Sequence, residues 1–261
     1  RAGLGRMKGS LVLACEVLAR PLYLAAATSP NVVDIQLLRR GLHNSPKDLQ
    51  STLQSLIDAA QSQDYQALLL GYGLCGNGTA GLLSRKIPLV IPRVHDCIGL
   101  RLGSRSRYRL QYVQSPGTCW YTRDFMERQD GDAKFSALGA TTPDEMKNQY
   151  EFVVTRYGRE NADYLMQVMG SWQSHYERAA FIDLGILDSA EYQAETRAAA
   201  AQHGWRFEKL AGDLVMFRQL INGDWQDEHQ MDFQVVPPGH QLELTYNDCT
   251  FSVISHESQT K

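Results

Sequence analysis

Residues Ala67-Leu-Leu-Leu-Gly-Tyr-Gly-Leu-Cys-Gly-Asn-Gly78 join a short apolar run to a glycine-rich turn. The run Ala67–Leu70 predicts a buried strand, because it is continuous and ends at a turn signal. Glycines after a strand let the backbone turn sharply and approach a ligand closely. The stretch therefore predicts a strand whose carboxyl end opens into a candidate binding loop.

Strand and helix patterns alternate on both sides of this run. A helix is predicted from Ser45, because Ser and Pro form a start signal and leucines follow at helical spacing. A short helix is predicted over residues 79–85. Strands joined by helices pair in parallel through right-handed crossovers, so a doubly wound α/β layer is expected. The other predicted strands of this layer are Ser10–Ala14, Asn31–Ile35, Pro88–Ile91 and Arg109–Val113.

The fold class predicted for the whole chain is α/β, with two Rossmann-like parallel-sheet lobes and a helical segment between them. Helical spacing dominates Pro143–Tyr157 and Arg159–Arg178, after which the alternation of strands and helices returns. The first strand of this later part is Ala180–Leu184, and the last clear strand is Phe233–Val236. The predicted domains are residues 1–125, 126–178 and 179–261.

The composition disfavours several classes of protein. The 261 residues carry 26 Lys+Arg against 29 Asp+Glu, a formal net charge of -3, whereas a nucleic-acid binder usually has a basic excess. No apolar run reaches the roughly 18–20 residues that a membrane-spanning helix needs. Five cysteines are an odd and sparse set for a disulfide framework, so we expect reduced thiols in the cytoplasm. The expected partner is a small-molecule substrate.

Reactive side chains follow the predicted strands at their carboxyl ends. Cys15 follows the first strand, Cys75 lies in the glycine turn, and His95-Asp96-Cys97 follows the strand at Pro88–Ile91. Open parallel sheets bind ligands at this edge, so these side chains are expected to converge. Thiolates and imidazoles bind zinc, and Cys3His is a recognised ligand set. The predicted ligands are Cys15, Cys75, His95 and Cys97, with zinc as the expected cofactor.

Neighbouring residues are assigned to catalysis or to substrate binding. Glu16 or Asp96 would orient a metal ligand, and Tyr121 would donate a proton from the loop Pro116-Gly-Thr-Cys-Trp-Tyr121. The glycine turn has the spacing G-x-G-x-x-G, but it contains Cys75 and lacks the later acidic residue of a dinucleotide fingerprint. For the cysteines, a structural role as buried thiols is the alternative. The predicted substrate contacts are His43, Tyr72, Asn77 and Arg93.

Seven stretches together resemble a known family. They are Ala14-Cys-Glu-Val-Leu18, Gly71-Tyr-Gly-Leu-Cys-Gly-Asn-Gly78, Ile91-Pro-Arg-Val-His-Asp-Cys-Ile-Gly99, Pro116-Gly-Thr-Cys-Trp-Tyr121, Phe181-Ile-Asp-Leu-Gly185, Gly212-Asp213 and Val235-Val-Pro-Pro-Gly-His240. The chain resembles, over nearly its whole length, a bacterial and archaeal family catalogued as domain of unknown function 1638. The resemblance implies a cytoplasmic protein with a role near one-carbon or corrinoid methyl-transfer metabolism. A corrinoid or methyl-carrier protein is therefore a further expected partner.

Three functions are open at this point. A zinc-thiolate site with an open position suits a metal-dependent transferase, because zinc holds a substrate thiol as a thiolate nucleophile. The transferred group would be methyl or another one-carbon group, with a thiol or a corrinoid involved. The first alternative is an iron–sulfur cluster enzyme, in which three cysteines leave one iron open to substrate. The second alternative is a non-enzymatic protein that binds a metal or a corrinoid.

Overall fold

The computed structural model describes residues 9–61, 64–128, 154–155, 158–159, 176–225, 232–245 and 251–255. The fold is mixed α/β, in agreement with the predicted class. The described strands are β1 (Gly9–Cys15), β2 (Val33–Leu38), β3 (Tyr65–Gly71), β4 (Leu89–Pro92), β5 (Thr118–Tyr121), β6 (Arg178–Asp183), β7 (Arg206–Ala211), β8 (Phe233–Val236), β9 (His240–Leu244) and β10 (Phe251–Ser255). The described α-helices are α1 (Ala19–Ala27), α2 (Pro46–Ala60), α3 (Cys97–Leu102), α4 (Arg105–Gln114), α5 (Arg123–Met126), α6 (Ala190–His203) and α7 (Val215–Asn222).

The chain divides into two compact units, and the division differs from the predicted one. The second unit is the continuous stretch Arg109–Gly212, and the first unit combines Arg1–Tyr108 with Asp213–Lys261. The C-terminal segment therefore belongs with the N-terminal sheet. The sequence predicts other bounds for the domains, namely 1–125, 126–178 and 179–261.

Contacts within the first unit explain why the C-terminal segment belongs to it. Strand β8 pairs antiparallel with β4, and Val236 lies opposite Leu89. Helix α7 packs against α1 through its buried face. The Asn31 side chain donates hydrogen bonds to the carbonyl oxygens of Ile221 and Asn222, at 3.2 and 2.8 Å, where α7 ends. These contacts join residues that are far apart in the chain, so local sequence patterns do not reveal them.

The main sheet of the first unit has the strand order β2-β1-β3-β4-β8. Strands β1, β2, β3 and β4 are parallel, and β8 is antiparallel to its neighbour. Every residue of β1 and of β4 is buried, as is the apolar run Ala67–Leu70 of β3. A strand that is covered on both faces has a continuous apolar sequence, which is the pattern that predicts these strands. Leu69 and Val12 pair at the centre of this core.

Two local predictions in the first half are wrong. Residues Arg109–Val113, predicted as a strand, lie in α4. The Ser104 hydroxyl accepts hydrogen bonds from the backbone N–H groups of Ser106 and Arg107, so it begins this helix as a cap. The alternation of apolar and polar residues in this stretch favours a strand, but the cap at Ser104, five residues before Arg109, begins a helix instead. The residues 79–85, predicted as a helix, form turns and an isolated bridge instead.

The second unit has a parallel sheet of its own. Its strand order is β5-β6-β7, and α6 connects β6 to β7. Gly204 ends α6 with φ of 70°, a left-handed conformation that glycine adopts without strain. The buried core cluster of this unit contains Cys119, Tyr121, Met126, Ala179, Phe181 and Ala200.

Parts of the predicted organisation lie outside the described residues. Most of the predicted helical segment, residues 126–178, is of this kind, and so are nearly all of the helices Pro143–Tyr157 and Arg159–Arg178. Within the ranges that the structure does describe, no helix has both the length and the hydropathy that a membrane span requires.

The packing of α7 predicts the effect of shortening one of its buried side chains. Leu220 is fully buried on the face of α7 that packs within the first unit. We expect Leu220→Ala to lower the free energy of unfolding by about 2–5 kcal/mol, because it removes buried apolar volume and leaves a cavity. Urea denaturation measures this change. Val215→Ala, on the same helix at 37% exposure, is the control and should change the free energy by about 0.5 kcal/mol or less. Equal losses in the two variants would contradict this packing.

Candidate functional site

The strand order of the first unit creates a natural binding position. The chain passes from β1 to β2 on one side of β1 and then returns across β1 to β3 on its other side. The winding direction therefore reverses between β1 and β3. In open α/β sheets, ligands bind outside the carboxyl ends of the strands at such a switch point. Cys15 ends β1, and Tyr72 directly follows β3.

The glycine-rich loop after β3 lies against the loop after β4. The backbone N–H of Leu74 donates to the carbonyl oxygen of Val94 at 2.9 Å, and that of Cys75 donates to the carbonyl oxygen of His95 at 2.8 Å. A Cβ atom on Gly73 would lie 2.6 Å from the Val94 carbonyl oxygen and 2.7 Å from the Asp96 nitrogen. Only glycine fits at this position, because the obstructing atoms belong to backbone. The two loops therefore bring Cys75 beside the segment His95-Asp96-Cys97.

Two residues of the glycine-rich loop have an uncommon backbone conformation. Cys75 has φ of 46° and Asn77 has φ of 73°, and these are the non-glycine residues with positive φ in the described part of the chain. Such residues are uncommon, and strained backbone clusters at functional sites. The buried Thr79 hydroxyl donates to the Gly73 carbonyl oxygen at 2.9 Å, which closes the loop on itself. The loop thus fixes the backbone position of Cys75.

Cys97 is held at the beginning of α3 by a local cap. The Asp96 carboxylate accepts a hydrogen bond from the Ile98 backbone N–H at 2.8 Å, as an N-cap does. It also accepts from the Tyr108 hydroxyl at 3.2 Å. Burial raises the pKa of Asp96, although these hydrogen bonds and the His95 imidazole act in the opposite direction. Asp96 therefore fixes the beginning of the helix that carries Cys97.

Three thiols meet at this edge of the sheet. Burial, with smaller contributions from the charges of Asp96 and Cys15, raises the pKa of Cys75 to about 12. Burial also raises the pKa of Cys97 well above its usual value, and Cys75 and Cys15 add to this effect. Cys15 is thus close enough to affect the ionisation of both other thiols, and Cys75 is close enough to affect that of Cys97. Cys15 is buried and the other two are half-buried, and none of the three is in a disulfide.

Arg101 places a positive charge beside these thiols. Only 1% of its surface is exposed, and its guanidinium donates a hydrogen bond to the Val17 carbonyl oxygen. Its charge lowers the pKa of Cys97, against the larger effect of burial. A buried cation near sulfur favours the thiolate form. Sequence reasoning missed Arg101, although a charged residue inside the apolar stretch Cys97-Ile-Gly-Leu-Arg-Leu102 is a usable signal.

Tyr72 contributes a buried hydroxyl to the same place. The residue is 3% exposed, and its hydroxyl has no hydrogen-bond partner among the described residues. Burial raises the pKa of Tyr72, and the nearby groups of Cys15, Cys75 and Glu16 raise it further. Buried polar groups in native proteins are nearly always hydrogen-bonded, so this unsatisfied hydroxyl is an exception among the described residues.

Among the predicted metal ligands, His95 is the one whose described side-chain neighbours are not cysteines. Its side chain is exposed, and the centre of its ring lies 6.1 Å from that of Tyr108. Its described electrostatic neighbour is Asp96. In the described part of the chain, no three His, Cys, Asp or Glu side chains are arranged to hold a single metal ion. The structure therefore brings together the three cysteines, whereas the described side-chain neighbours of His95 are Tyr108 and Asp96.

The remaining predicted site residues have varied surroundings. The Glu16 carboxylate accepts from the Arg40 backbone N–H at 2.8 Å, close to Tyr72. Asn77 is exposed in the glycine-rich loop, and His43 lies in the short 3-10 helix Leu42–Asn44. Arg93 donates from its backbone to Asp232 and from its side chain to the Phe251 carbonyl oxygen. Arg93 therefore holds the C-terminal segment in place.

Tyr121 belongs to the second unit. It is 3% exposed in the core cluster that contains Cys119, and burial raises the pKa of Tyr121. These surroundings fit the role of a core side chain, which the sequence leaves open beside that of a proton donor.

Fold and site together define an α/β protein with a cluster of three cysteines at the switch point of its main sheet. The chain belongs to the family described as Protein of unknown function (DUF1638), which it matches over residues 37–221. The matched range includes Cys75, His95 and Cys97, and Cys15 precedes it. No curated protein and no solved structure matches the chain at a significant level.

The burial of Cys75 predicts a pH dependence of stability in the metal-free, reduced protein. Its pKa rises from an ordinary value near 9 to about 12, so the folded chain keeps this thiol protonated where the unfolded chain ionises it. The stability due to this thiol is complete below about pH 9 and is lost as the pH rises toward about 12. The difference in free energy of unfolding between the unsubstituted chain and Cys75→Ala should therefore narrow above about pH 9.

Urea denaturation at several pH values measures this difference. The exposed residue Ser55 supplies the control, since Ser55→Ala removes no group that ionises in this range. Its difference from the unsubstituted chain should stay constant with pH. A constant difference for Cys75→Ala as well would contradict the buried position of its thiol.

Proposed function

We propose that the chain is a metal-dependent enzyme whose metal centre is held by Cys15, Cys75 and Cys97. The observation that carries this proposal is the meeting of three thiols at the switch point of the sheet, where Cys15 raises the pKa of Cys75 and both raise the pKa of Cys97. Three protein ligands leave a coordination position for substrate, as in catalytic metal sites generally. A small molecule bound between the glycine-rich loop and the end of β1 would reach that position.

The residues around the thiols fit a metal centre. Burial raises the pKa values of the Cys75 and Cys97 thiols, which disfavours their thiolate forms, whereas metal binding deprotonates thiols. The buried guanidinium of Arg101 offsets the negative charge of the thiolates. The orphaned hydroxyl of Tyr72 adds a hydrogen-bond donor on the same side. Charge and hydrogen-bonding capacity are thus both available for an anionic centre.

We favour an iron–sulfur cluster as the metal centre. Thiolates on one zinc ion lie about 3.8 Å apart, since each bond is about 2.3 Å long and the geometry is tetrahedral. Among the described residues no group of three His, Cys, Asp or Glu side chains is arranged to hold a single metal ion, yet Cys75 and Cys15 both raise the pKa of Cys97. A four-iron cluster takes each cysteine on a different iron, so its ligands stand farther apart. Such a cluster would supply one open iron to bind the substrate.

A zinc-dependent transferase is the second candidate. The observation that favours it is the pair of backbone hydrogen bonds that lays Cys75 against the segment containing His95 and Cys97. A zinc ion there would hold a substrate thiol as a thiolate for transfer of a methyl or other one-carbon group. The partner would then be a thiol compound, a corrinoid or a methyl-carrier protein. This candidate needs His95 to leave its present position beside Tyr108.

The architecture and the compartment complete the proposal. Each unit is a Rossmann-like lobe, which the order β2-β1-β3-β4 in the first and the parallel order β5-β6-β7 in the second support. The protein acts in the cytoplasm, where a reducing environment keeps such thiols available to a metal. The four cysteines of the described residues are free thiols, which supports this location.

Metal analysis of protein prepared without oxygen tests the proposal. We expect a brown protein that contains iron and sulfide. Oxygen is excluded during preparation because a cluster with an open iron is sensitive to it. Replacement of Cys15, Cys75 or Cys97 by Ser should lower the metal content to about a tenth or less, since each supplies a ligand. Cys119→Ser is the matched control, because this buried thiol lies in the core of the second unit. It should leave the metal content unchanged.

Other results would choose between the candidates or reject both. One zinc per chain, lost on His95→Ala as well as on the cysteine substitutions, would support the transferase and reject the cluster. The metal could also bind tightly through the three thiols and leave no open position for an exogenous ligand. That result would indicate a metal-binding protein without enzymatic activity. Unsubstituted protein that holds no metal after anaerobic preparation and reconstitution would reject both candidates.

A further inference from the structure

Strand β2 forms an open edge of the main sheet. In the order β2-β1-β3-β4-β8, its neighbour among the described strands is β1. The Ser10 backbone N–H donates to the Val32 carbonyl oxygen at 2.9 Å, and Ser10 pairs with Val33 in the parallel register. In such a ladder, alternate residues of a strand direct their backbone groups to opposite sides. The backbone N–H and C=O groups of β2 that point away from the sheet are therefore those of Val33, Ile35 and Leu37.

The other edges of the two larger sheets carry features that hinder pairing with a further strand. Strand β7 has charged side chains at Arg206, Glu208 and Lys209. Strands β5 and β8 have four residues each, and Pro237 directly follows β8. Charged residues, proline and short strands are the usual means by which proteins protect a sheet edge. Strand β2 has six residues, and Asp34 is its single charged side chain.

Apolar side chains are exposed near this edge. Val32, directly before β2, and Tyr23 of α1 are each 52% exposed. Leu24 of α1 is 40% exposed, and α1 packs against β2. Ile35, at the centre of β2, is half-buried. Apolar exposure beside an open strand edge indicates a surface that a partner covers.

The sequence of β2 matches a second copy of itself in one antiparallel register. A twofold axis at Ile35 places this residue opposite Ile35 of the second copy, and it places Val33 opposite Leu37. All the outward N–H and C=O groups of both strands then form hydrogen bonds with each other. On the other face, Asp34 comes to lie opposite Gln36, whose amide can donate a hydrogen bond to the carboxylate.

The neighbouring registers fit less well. An axis at Asp34 places the two Asp34 carboxylates opposite each other, and like charges in this position are destabilising. An axis at Gln36 places Asp34 opposite the apolar side chain of Leu38. In the register centred on Ile35, the Asp34 carboxylate keeps the hydrogen bond that its Oδ2 atom accepts from the Tyr65 hydroxyl at 2.8 Å, and its Oδ1 atom can accept from Gln36. The charge pattern of β2 therefore selects a single register.

We propose that two copies of the chain form a homodimer by antiparallel pairing of their β2 strands about a twofold axis at Ile35. The pairing joins the two five-stranded main sheets into one continuous sheet. An interface of this symmetry uses the same surface on both copies, so it closes with two copies and does not extend into a fibre. The dimer does not depend on the proposed metal centre.

Sedimentation equilibrium of the full-length protein over a range of concentrations tests this dimer. We expect a monomer–dimer equilibrium. Gln36→Asp should raise the dissociation constant about tenfold, because the twofold axis places each new carboxylate opposite Asp34. Gln36→Lys should lower the dissociation constant, because its ammonium group lies opposite the same carboxylate. The Gln36 side chain is exposed, so both variants should keep the fold of the unsubstituted chain.

Gln202→Asp is the matched control, because it makes the same chemical change at an exposed position of α6 in the second unit. It should leave the dissociation constant unchanged. Hydrogen exchange at the N–H groups of Val33, Ile35 and Leu37 should also slow as the unsubstituted protein is concentrated. Protein that stays monomeric at every concentration would overturn the inference. A dimer whose dissociation constant is the same in all three variants would overturn it too, because its interface would lie elsewhere.

Discussion

The two backbone hydrogen bonds from Leu74 and Cys75 to the loop after β4 are the constraint on which the site depends. They are possible because Gly73 lacks a side chain at the point where the loops touch backbone to backbone. Through this contact, a cysteine from the end of one strand reaches the segment that follows the next strand. The parallel pairing of β1 with β3 then adds Cys15 from the other side. Three separate parts of the sequence thus meet at one edge of the sheet.

Burial and charge act in opposite directions on the atoms that meet there. Burial keeps the thiols of Cys75 and Cys97 protonated, and the carboxyl of Asp96 adds to this effect. The guanidinium of Arg101 favours the thiolate of Cys97, but it does not outweigh burial. A bound metal ion would reverse this balance, because its charge deprotonates a coordinating thiol outright. In the proposed metal centre, the ionisation of the thiols would therefore follow the presence of metal.

Much of the fold is predictable from local patterns. The apolar runs of β1, β3 and β4, and the start signal of α2 at Ser45, are visible in short stretches of sequence. The fold class then predicts that residues after these strands converge, and the three cysteines do so. The pairing of β8 with β4 is different, because it depends on contacts between distant segments. No periodic pattern reveals such a contact. The sequence alone therefore predicts that residues 179–261 form a lobe of their own.

The orientation of side chains was less predictable than the position of their backbone. The sequence predicts His95 as a metal ligand because it lies two residues before Cys97, but its ring lies beside Tyr108. Arg93 follows a strand at the correct edge, yet it is bonded to the C-terminal segment. Spacing along the chain gives no information about either neighbour, since both come from later in the sequence. In contrast, the capping role of Asp96 follows from its place directly before α3.

A crystal structure of the metal-loaded protein, prepared without oxygen and measured at the absorption edge of the metal, would test the central claim most directly. The account predicts one metal centre. In it, each of the sulfur atoms of Cys15, Cys75 and Cys97 lies about 2.3 Å from a metal atom. Metal density bonded to other side chains would contradict it. A structure of protein that had been incubated with iron, sulfide and zinc would contradict it as well if the three thiols held no metal.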